Sequence, residues 1–243
     1  MLFSYDAYRG LLYKLNKHKY AIASYKDWKD KGRCVILRHD IDNDIAKALE
    51  LAKVEKDEGA KSTYFVLVSS DFYNVFSEKS ERMIHAISEC GHDIGLHFDE
   101  LRYPEIRNPE DARDKILEEA ELLSRITGKP VDTVSMHRPS RMMLEADLEI
   151  PGMINSYGQA FFKGFKYLSD SRRRWREPVD EIIASEAYEH LHILTHAFWY
   201  NESEISIHDS VKAFVNDGNR QRYFSMKSNI TDLETIMRED EIS

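Results

Sequence analysis

Short runs of β-branched and aromatic residues alternate along this chain with longer stretches whose apolar residues recur at helical spacing. The runs fall at Val35–Leu37, Thr63–Val68, Asp93–His97, Thr133–Met136, Met153–Ser156, Phe165–Leu168 and His192–Thr195. Between the first two, "NDIAKALELAKVEKDEG" places Ile45, Ala48, Leu49, Leu51 and Ala52 on one helical face and closes at Gly59. "NPEDARDKILEEAELLSRITGK" opens with Asn108-Pro109, carries acids in its first turn and stops at Gly128, a helix by capping and dipole logic. Strands alternating with helices predict an α/β protein with a largely parallel sheet. About seven strands fit a (β/α) barrel, irregular if need be, with an open doubly wound sheet as the alternative. The first strand leads into "RHDIDND", which has no glycine, and this argues against a phosphate-cradling nucleotide fold. No repeat or low-complexity linker marks a boundary, so a single domain is expected.

Composition changes this picture little. The chain has 243 residues, 42% of them hydrophobic and 32% charged, enough for a sizeable core. Its net charge is -9 and its longest basic block is "RRRWR", Arg172–Arg176. That balance argues against nucleic acid and anionic lipid surfaces as partners. Cys34 and Cys90 read as small buried hydrophobes, without a disulfide framework or thiolate zinc site. No secretory signal or bilayer-spanning run is visible, so a cytoplasmic protein without membrane insertion is expected.

The candidate chemistry lies where strands end. The first ends in His39, Asp40 and Asp42, the third in His97 and Asp99. "SMHRPS" supplies His137 and Arg138, "KYLSDS" Asp170, and "HILTHAFWY" His196. In parallel α/β architectures these ends converge on one face, where binding and catalysis occur. Asp40 and Asp42 are two residues apart and share a side of an extended strand, as do His97 and Asp99. Carboxylates side by side repel unless a proton or cation offsets them, and a divalent ion held by Asp and His is the economical solution. His39, by parity, points to the outer layer. Asp44 or Asn43 suits the N-cap of the following helix, and His18, His85, His92, His190, His192 and His208 read as structural or solvated.

In order, "RHDID", "GHDIGLHFD", "HRPS", "YLSDSRRRW" and "LTHAFWY" resemble the motifs of NodB-homology polysaccharide deacetylases, most nearly the WbmS-like branch, over Val35 to Tyr200. The opening "YDAYRGLLYKLNKHKYAI" resembles that branch's leading helix. The resemblance implies a distorted (β/α)7-type barrel in one domain spanning 1–243. It has a leading helix and connection over 1–33 and a C-terminal helix or tail from about 221. It also implies removal of an N-acetyl group from a sugar or glycan precursor, in surface-polysaccharide biosynthesis, with zinc or else iron, cobalt or nickel. By position, Asp40 matches the base, Asp42 and His97 the metal ligands, Arg138 the arginine that aims the base and His196 the general acid. Asp170, Trp175 and Trp199 fall to the sugar pocket. Ile41 separates the two aspartates, which are adjacent in the family, and Leu101 stands where a second ligand histidine is usual. His137 is then the third ligand, with Asp99 or Asp40 as alternatives. Two rival functions remain: hydrolysis of a small non-sugar amide, and glycan binding without catalysis on the same fold.

Overall fold

The computed structural model describes residues 1–242. They fall into two compact units, Met1–Glu202 and a second that begins at Ser203. In the first unit the strands are β1 (Ala21–Ala23), β2 (Cys34–Ile41), β3 (Thr63–Val66) and β4 (Asp93–Asp99), followed by β5 (Thr133–His137), β6 (Ile154–Asn155), β7 (Lys166–Ser169) and β8 (His190–Thr195). Its helices are α1 (Tyr5–Lys17), α2 (Ile45–Asp57), α3 (Glu78–Glu89), α4 (Pro109–Thr127), α5 (Arg141–Glu145), α6 (Gln159–Phe162) and α7 (Val179–Ser185). The second unit carries α8 (Ile207–Lys227) and α9 (Leu233–Ile236). It starts well before residue 221, where the sequence suggested a terminal helix or tail, because Ser206 caps α8 by accepting from the Asp209 N–H. Within that unit Tyr223 donates its hydroxyl to the Met237 carbonyl at 3.0 Å.

Local chemistry explains the main helices of the first unit. Asp44 caps α2, its carboxylate accepting from the Ala46 N–H at 2.8 Å. Asn108 and Asp111 form a reciprocal capping box at α4, Pro109 occupies the first turn, and Gly128 ends the helix at φ 65°.

All sheet pairings are parallel, in the order β6-β5-β4-β3-β2-β8-β7, with β1 added to β2. From β2 to β6 each strand neighbours its successor, and the last strand returns to pair with β2. This is the cyclic order of a (β/α)7 barrel with its seam open between β6 and β7. It is not the order of a doubly wound sheet, in which the chain reverses direction outward from a central strand. β1 pairs Cys34–Ile36 on β2, whereas β3 joins only from Arg38 onward. That three-residue strand is absent from the hydrophobic pattern because "AIA" is too short to alternate visibly.

β2 is buried along its whole length, and its two faces meet different cores. Val35, Leu37 and Ile41 pack with the surrounding helices in the larger cluster, while Cys34 and Ile36 join Ala23, Tyr25, Phe65, Phe161 and Phe165 in a second one. The inner face thus reads Cys34, Ile36, Arg38, Asp40 upward, an apolar plug topped by charge. Gly95 on β4 lets Phe65 into this plug, since a Cβ there would lie 2.5 Å from the Phe65 ring.

Outside the sheet, under α1 and α2, lies a buried polar knot. Glu55 accepts from the Tyr8 hydroxyl at 2.6 Å, Ser62 at 2.6 Å and Tyr64 at 2.8 Å, and faces His39 Nε2 at 2.9 Å. Burial pushes the Glu55 carboxyl up, but the His39 charge first, then the His39 hydrogen bond, the His92 charge and the Ser62 hydroxyl, hold it down at about 2. Glu55→Ala strands those donors in the core and is expected to destabilise the chain by about 3–5 kcal/mol, read as the midpoint of urea unfolding.

His192 behaves in the opposite chemical sense with the same consequence. Buried on β8 and accepting from the Tyr25 hydroxyl at 2.7 Å, it is held neutral by burial and then by the Arg38 charge, its pKa falling to about 3. An imidazole depressed in the fold and near 6.5 when unfolded stabilises fully above pH 6.5, and its contribution fades as pH falls toward 3. Thermal midpoints are therefore expected to fall between pH 6.5 and 4, and His192→Gln to flatten that slope.

Candidate active site

At the C-terminal end of the barrel the inner-face residues open into a cavity of about 710 Å³. Asp40, Asp42, His97, His137 and His196 line its floor. They come from β2 and the turn after it, from β4, from β5 and from the residue after β8, and their convergence follows from strand order alone. Met136, Leu168, Leu194, Tyr157, Tyr167 and Trp175 supply apolar wall.

Three side chains meet at one point. Asp42 Oδ1 lies 3.1 Å from His97 Nε2 and 3.3 Å from His137 Nδ1, and the two imidazole nitrogens are 3.1 Å apart. Four ligands around a zinc ion at about 2.0–2.1 Å would stand roughly 3.3–3.4 Å from one another, so the spacing suits a shared cation. Asp42 Oδ1 is buried and has no hydrogen-bond partner, which is the mark of an oxygen aimed at something other than a proton donor. Despite burial, the close approach of His137 and His97 to that oxygen, then the charges of His97 and His196, hold the Asp42 carboxyl far below the usual carboxylate range. His97 Nδ1 lies 2.7 Å from Ser135 Oγ, which fixes the ring so that Nε2 faces the cluster. Asp42, His97 and His137 therefore fit a divalent metal by donor type, spacing and support. Asp99 does not reach them: one oxygen accepts from the Leu101 N–H and the other from Arg138. Leu101 itself is 64% exposed on the turn after β4, outside the cavity.

Asp40 stands beside this cluster, 3.6 Å from His97 Nε2, and is held by Arg38. Arg38 donates Nε–H to Asp40 Oδ1 and Nη2–H to Oδ2, both at 2.8 Å, a bidentate fork with the guanidinium 1% exposed. The Phe65 and Tyr157 rings flank the guanidinium at 5.2 and 5.0 Å. Burial pushes the Asp40 pKa up, but the Arg38 charge, then that of His97, brings it below the ordinary value. The sequence assigned this aiming role to Arg138. Arg138 instead pairs with Asp99, with its side chain 61% exposed, because its backbone takes a left-handed turn at φ 50° that carries it to the cavity rim. The signal for Arg38 was its parity with Asp40 and Asp42 in an otherwise apolar strand.

On the neighbouring strand end, one register step beyond the His39–Thr195 pairing, stands His196. Asp170, fully buried, accepts from the His196 N–H at 3.1 Å and from its Nδ1–H at 2.7 Å, with the Tyr200 hydroxyl at 3.3 Å. Asp170 is thus the residue that orients His196 and no part of the sugar-facing wall predicted for it. Its depth below the cavity floor leaves it no surface to offer. Burial pulls the His196 pKa down, but the hydrogen bond and charge of Asp170, with Asp42 and Asp40 behind, raise it to about 9. His196 Nε2 remains free to face the cavity, 3.8 Å from Asp42 Oδ2. Trp175 lines the cavity as expected, but Trp199 does not; it packs against the core on the turn after β8. That turn points Trp199 inward as Tyr200 enters the core with no exposed surface.

No family model and no curated protein matches the chain. Among solved structures it is similar to the chitin deacetylase of the fungal pathogen Colletotrichum lindemuthianum, at 15% identity over 76% of this chain and 81% of that one, with a TM-score of 0.46. It is also similar to the Streptococcus pyogenes deacetylase PplD in complex with acetate, at 10% identity over 80% and 82%, TM-score 0.46. A third is a CE4 family pseudoenzyme from Bacillus anthracis, at 13% identity and a TM-score of 0.42, with 78% of this chain covered but 61% of that one, less than two thirds of its length.

Proposed function

We propose that this chain is a metal-dependent hydrolase of the NodB-homology type that removes the acetyl group from an N-acetylated sugar or glycan precursor. The observation that carries the reading is the placement, around one cavity, of an Asp-His-His cluster beside an arginine-held aspartate and an aspartate-held histidine. The five ordered motifs supply the substrate class, and a place in surface-polysaccharide biosynthesis follows from the branch they resemble. Asp42, His97 and His137 would hold the metal. Two imidazoles and one carboxylate suit zinc first, and also iron, cobalt or nickel. When bound, such an ion acidifies a water molecule toward neutrality and polarises a carbonyl.

The chain's own groups then move protons. Asp40, kept ionised by Arg38, takes the proton of the water whose oxygen bonds to the acetyl carbon. The C–N bond breaks as His196, protonated at neutral pH because of Asp170, gives its proton to the departing nitrogen. The products are acetate and the sugar amine. A glycan-binding protein without catalysis would have no use for an acid and a base held beside a metal cluster.

The test is acetate release from a panel of N-acetylhexosamine glycosides by protein stripped with a chelator and reloaded with zinc, cobalt, nickel or ferrous iron. Acetate and free amine are expected in equal amounts, with activity lost on stripping and regained on reloading. Protein carrying one metal per chain that releases acetate from none of them would overturn the reading.

A further inference from the structure

The rim of the cavity carries charge that hydrolysis of an amide does not use. Arg138, Arg172 and Arg176 line it, with Glu177 beside Arg176. Glu177 is matched by Lys166, and Arg138 by Asp99. Arg172 and Arg176 are exposed and have no ion-pair or hydrogen-bond partner among the described residues. Exposed Arg82, Arg125, Arg141 and Arg238 find carboxylates, whereas these two lie at the cavity mouth without one. Two uncompensated guanidiniums stay at the cavity mouth while acid is abundant elsewhere.

The loop that holds them is tied to the catalytic floor. Ser171 donates its N–H to Ser169 Oγ at 3.1 Å, and Arg174 donates its N–H to the Asp170 carbonyl at 3.1 Å, one residue group away from His196. Between these ties Arg172 sits at φ 60°, ψ 31°, a left-handed conformation that costs a non-glycine residue roughly 1 kcal/mol. A glycine or asparagine would relieve it; an arginine there has its side chain to recommend it.

We infer that the substrate carries a phosphate ester on the sugar to be deacetylated, most simply a diphosphate joining it to a carrier, and that Arg172 and Arg176 bind it. Guanidiniums match phosphate oxygens in paired hydrogen bonds, and two of them match the two charges of a diphosphate diester. A cavity of about 710 Å³ lies within the roughly 300–1,000 Å³ of small-molecule sites, and so suits a single sugar with its charged linkage better than a polymer strand. This inference rests on the deacetylase reading for its reaction and on the two arginines for its charge, so each can fail alone.

The experiment compares metal-loaded wild type with the Arg172→Gln/Arg176→Gln double variant on four substrates sharing one N-acetylhexosamine. These are its methyl glycoside, its uridine-diphosphate derivative, its polyprenyl-diphosphate derivative in detergent, and the corresponding N-acetylated uronic acid. Wild type is expected to favour at least one diphosphate over the methyl glycoside by about thirtyfold or more in kcat/KM, mostly through KM. The faster of the two diphosphates identifies the carrier as nucleotide or lipid. The double variant is expected to lose that preference, and inorganic pyrophosphate to inhibit wild type but not the variant. Equal turnover of methyl glycoside and both diphosphates, or preference for the uronic acid, overturns the inference and leaves the deacetylase reading intact. If no substrate releases acetate, calorimetric titration with the uridine-diphosphate sugar decides. Binding that disappears in the variant sustains the phosphate site while the reaction assignment falls, and absence of binding ends both.

Discussion

Replacing Arg38 with methionine is expected to lower acetate release by a factor of about 10²–10⁴, the usual range for loss of a positioned general base. Both Asp40 oxygens rely on this one guanidinium, at 2.8 Å each, and Asp40 is 5% exposed. Without the fork, burial dominates, and the carboxyl rises from below its ordinary value toward the neutral form at working pH. The acid limb of the pH–rate profile should therefore move to higher pH in the variant, a change that simple loss of folded protein would not produce. Stability should drop as well, by about 3–5 kcal/mol, because a buried charge has lost its partner. Adding Asp40→Asn should recover much of that stability and none of the activity. Arg38→Lys, which keeps the charge but not the fork, should fall between wild type and Arg38→Met. Arg138→Met removes only a contact between Asp99 and a mostly exposed side chain, so its stability cost should stay below about 1 kcal/mol. If Arg38→Met and Arg138→Met shift the acid limb equally, Arg38 does not hold the base.

The contrast between these two arginines shows where sequence reasoning carried and where it ran out. Strand ends and parity are local properties, and they gather Asp40, Asp42, His97 and His137 at one end of a parallel sheet. The same parity puts Arg38 beside Asp40, yet motif order drew attention to Arg138, one hundred residues away. Motif order reports which residue types recur; it does not report a φ of 50° that swings a side chain to the rim. Asp170 and Trp199 failed for a related reason. Whether a residue just past a strand faces the cavity or the core depends on the turn it enters, and "SDS" and "HAFWY" give no alternation to read. The strand pattern predicted a largely parallel α/β sheet but left barrel and doubly wound orders open, and only the motif resemblance chose the barrel. It could not show the open seam between β6 and β7, which depends on β6 being two residues long.

Asp42→Ala and His97→Ala are expected to abolish metal binding at micromolar metal, with the metal content of purified protein falling from near one per chain to below one tenth. Each change removes one of three convergent ligand atoms, while Asp99 is engaged by Arg138 and Leu101 and Asp40 by both nitrogens of the Arg38 fork. Ser135→Ala leaves all three ligands but frees the His97 ring, 2.7 Å from the lost hydroxyl, and should weaken metal affinity by about 10–100-fold. Thermal unfolding separates these effects from damage to the fold. Bound metal stabilises only the folded state, so wild type should show a rise in Tm on metal addition, Ser135→Ala a rise that needs more metal, and the two ligand variants none. A metal-dependent rise in Tm that survives both ligand replacements would place the ion elsewhere, away from the proposed base Asp40 and the proposed acid His196.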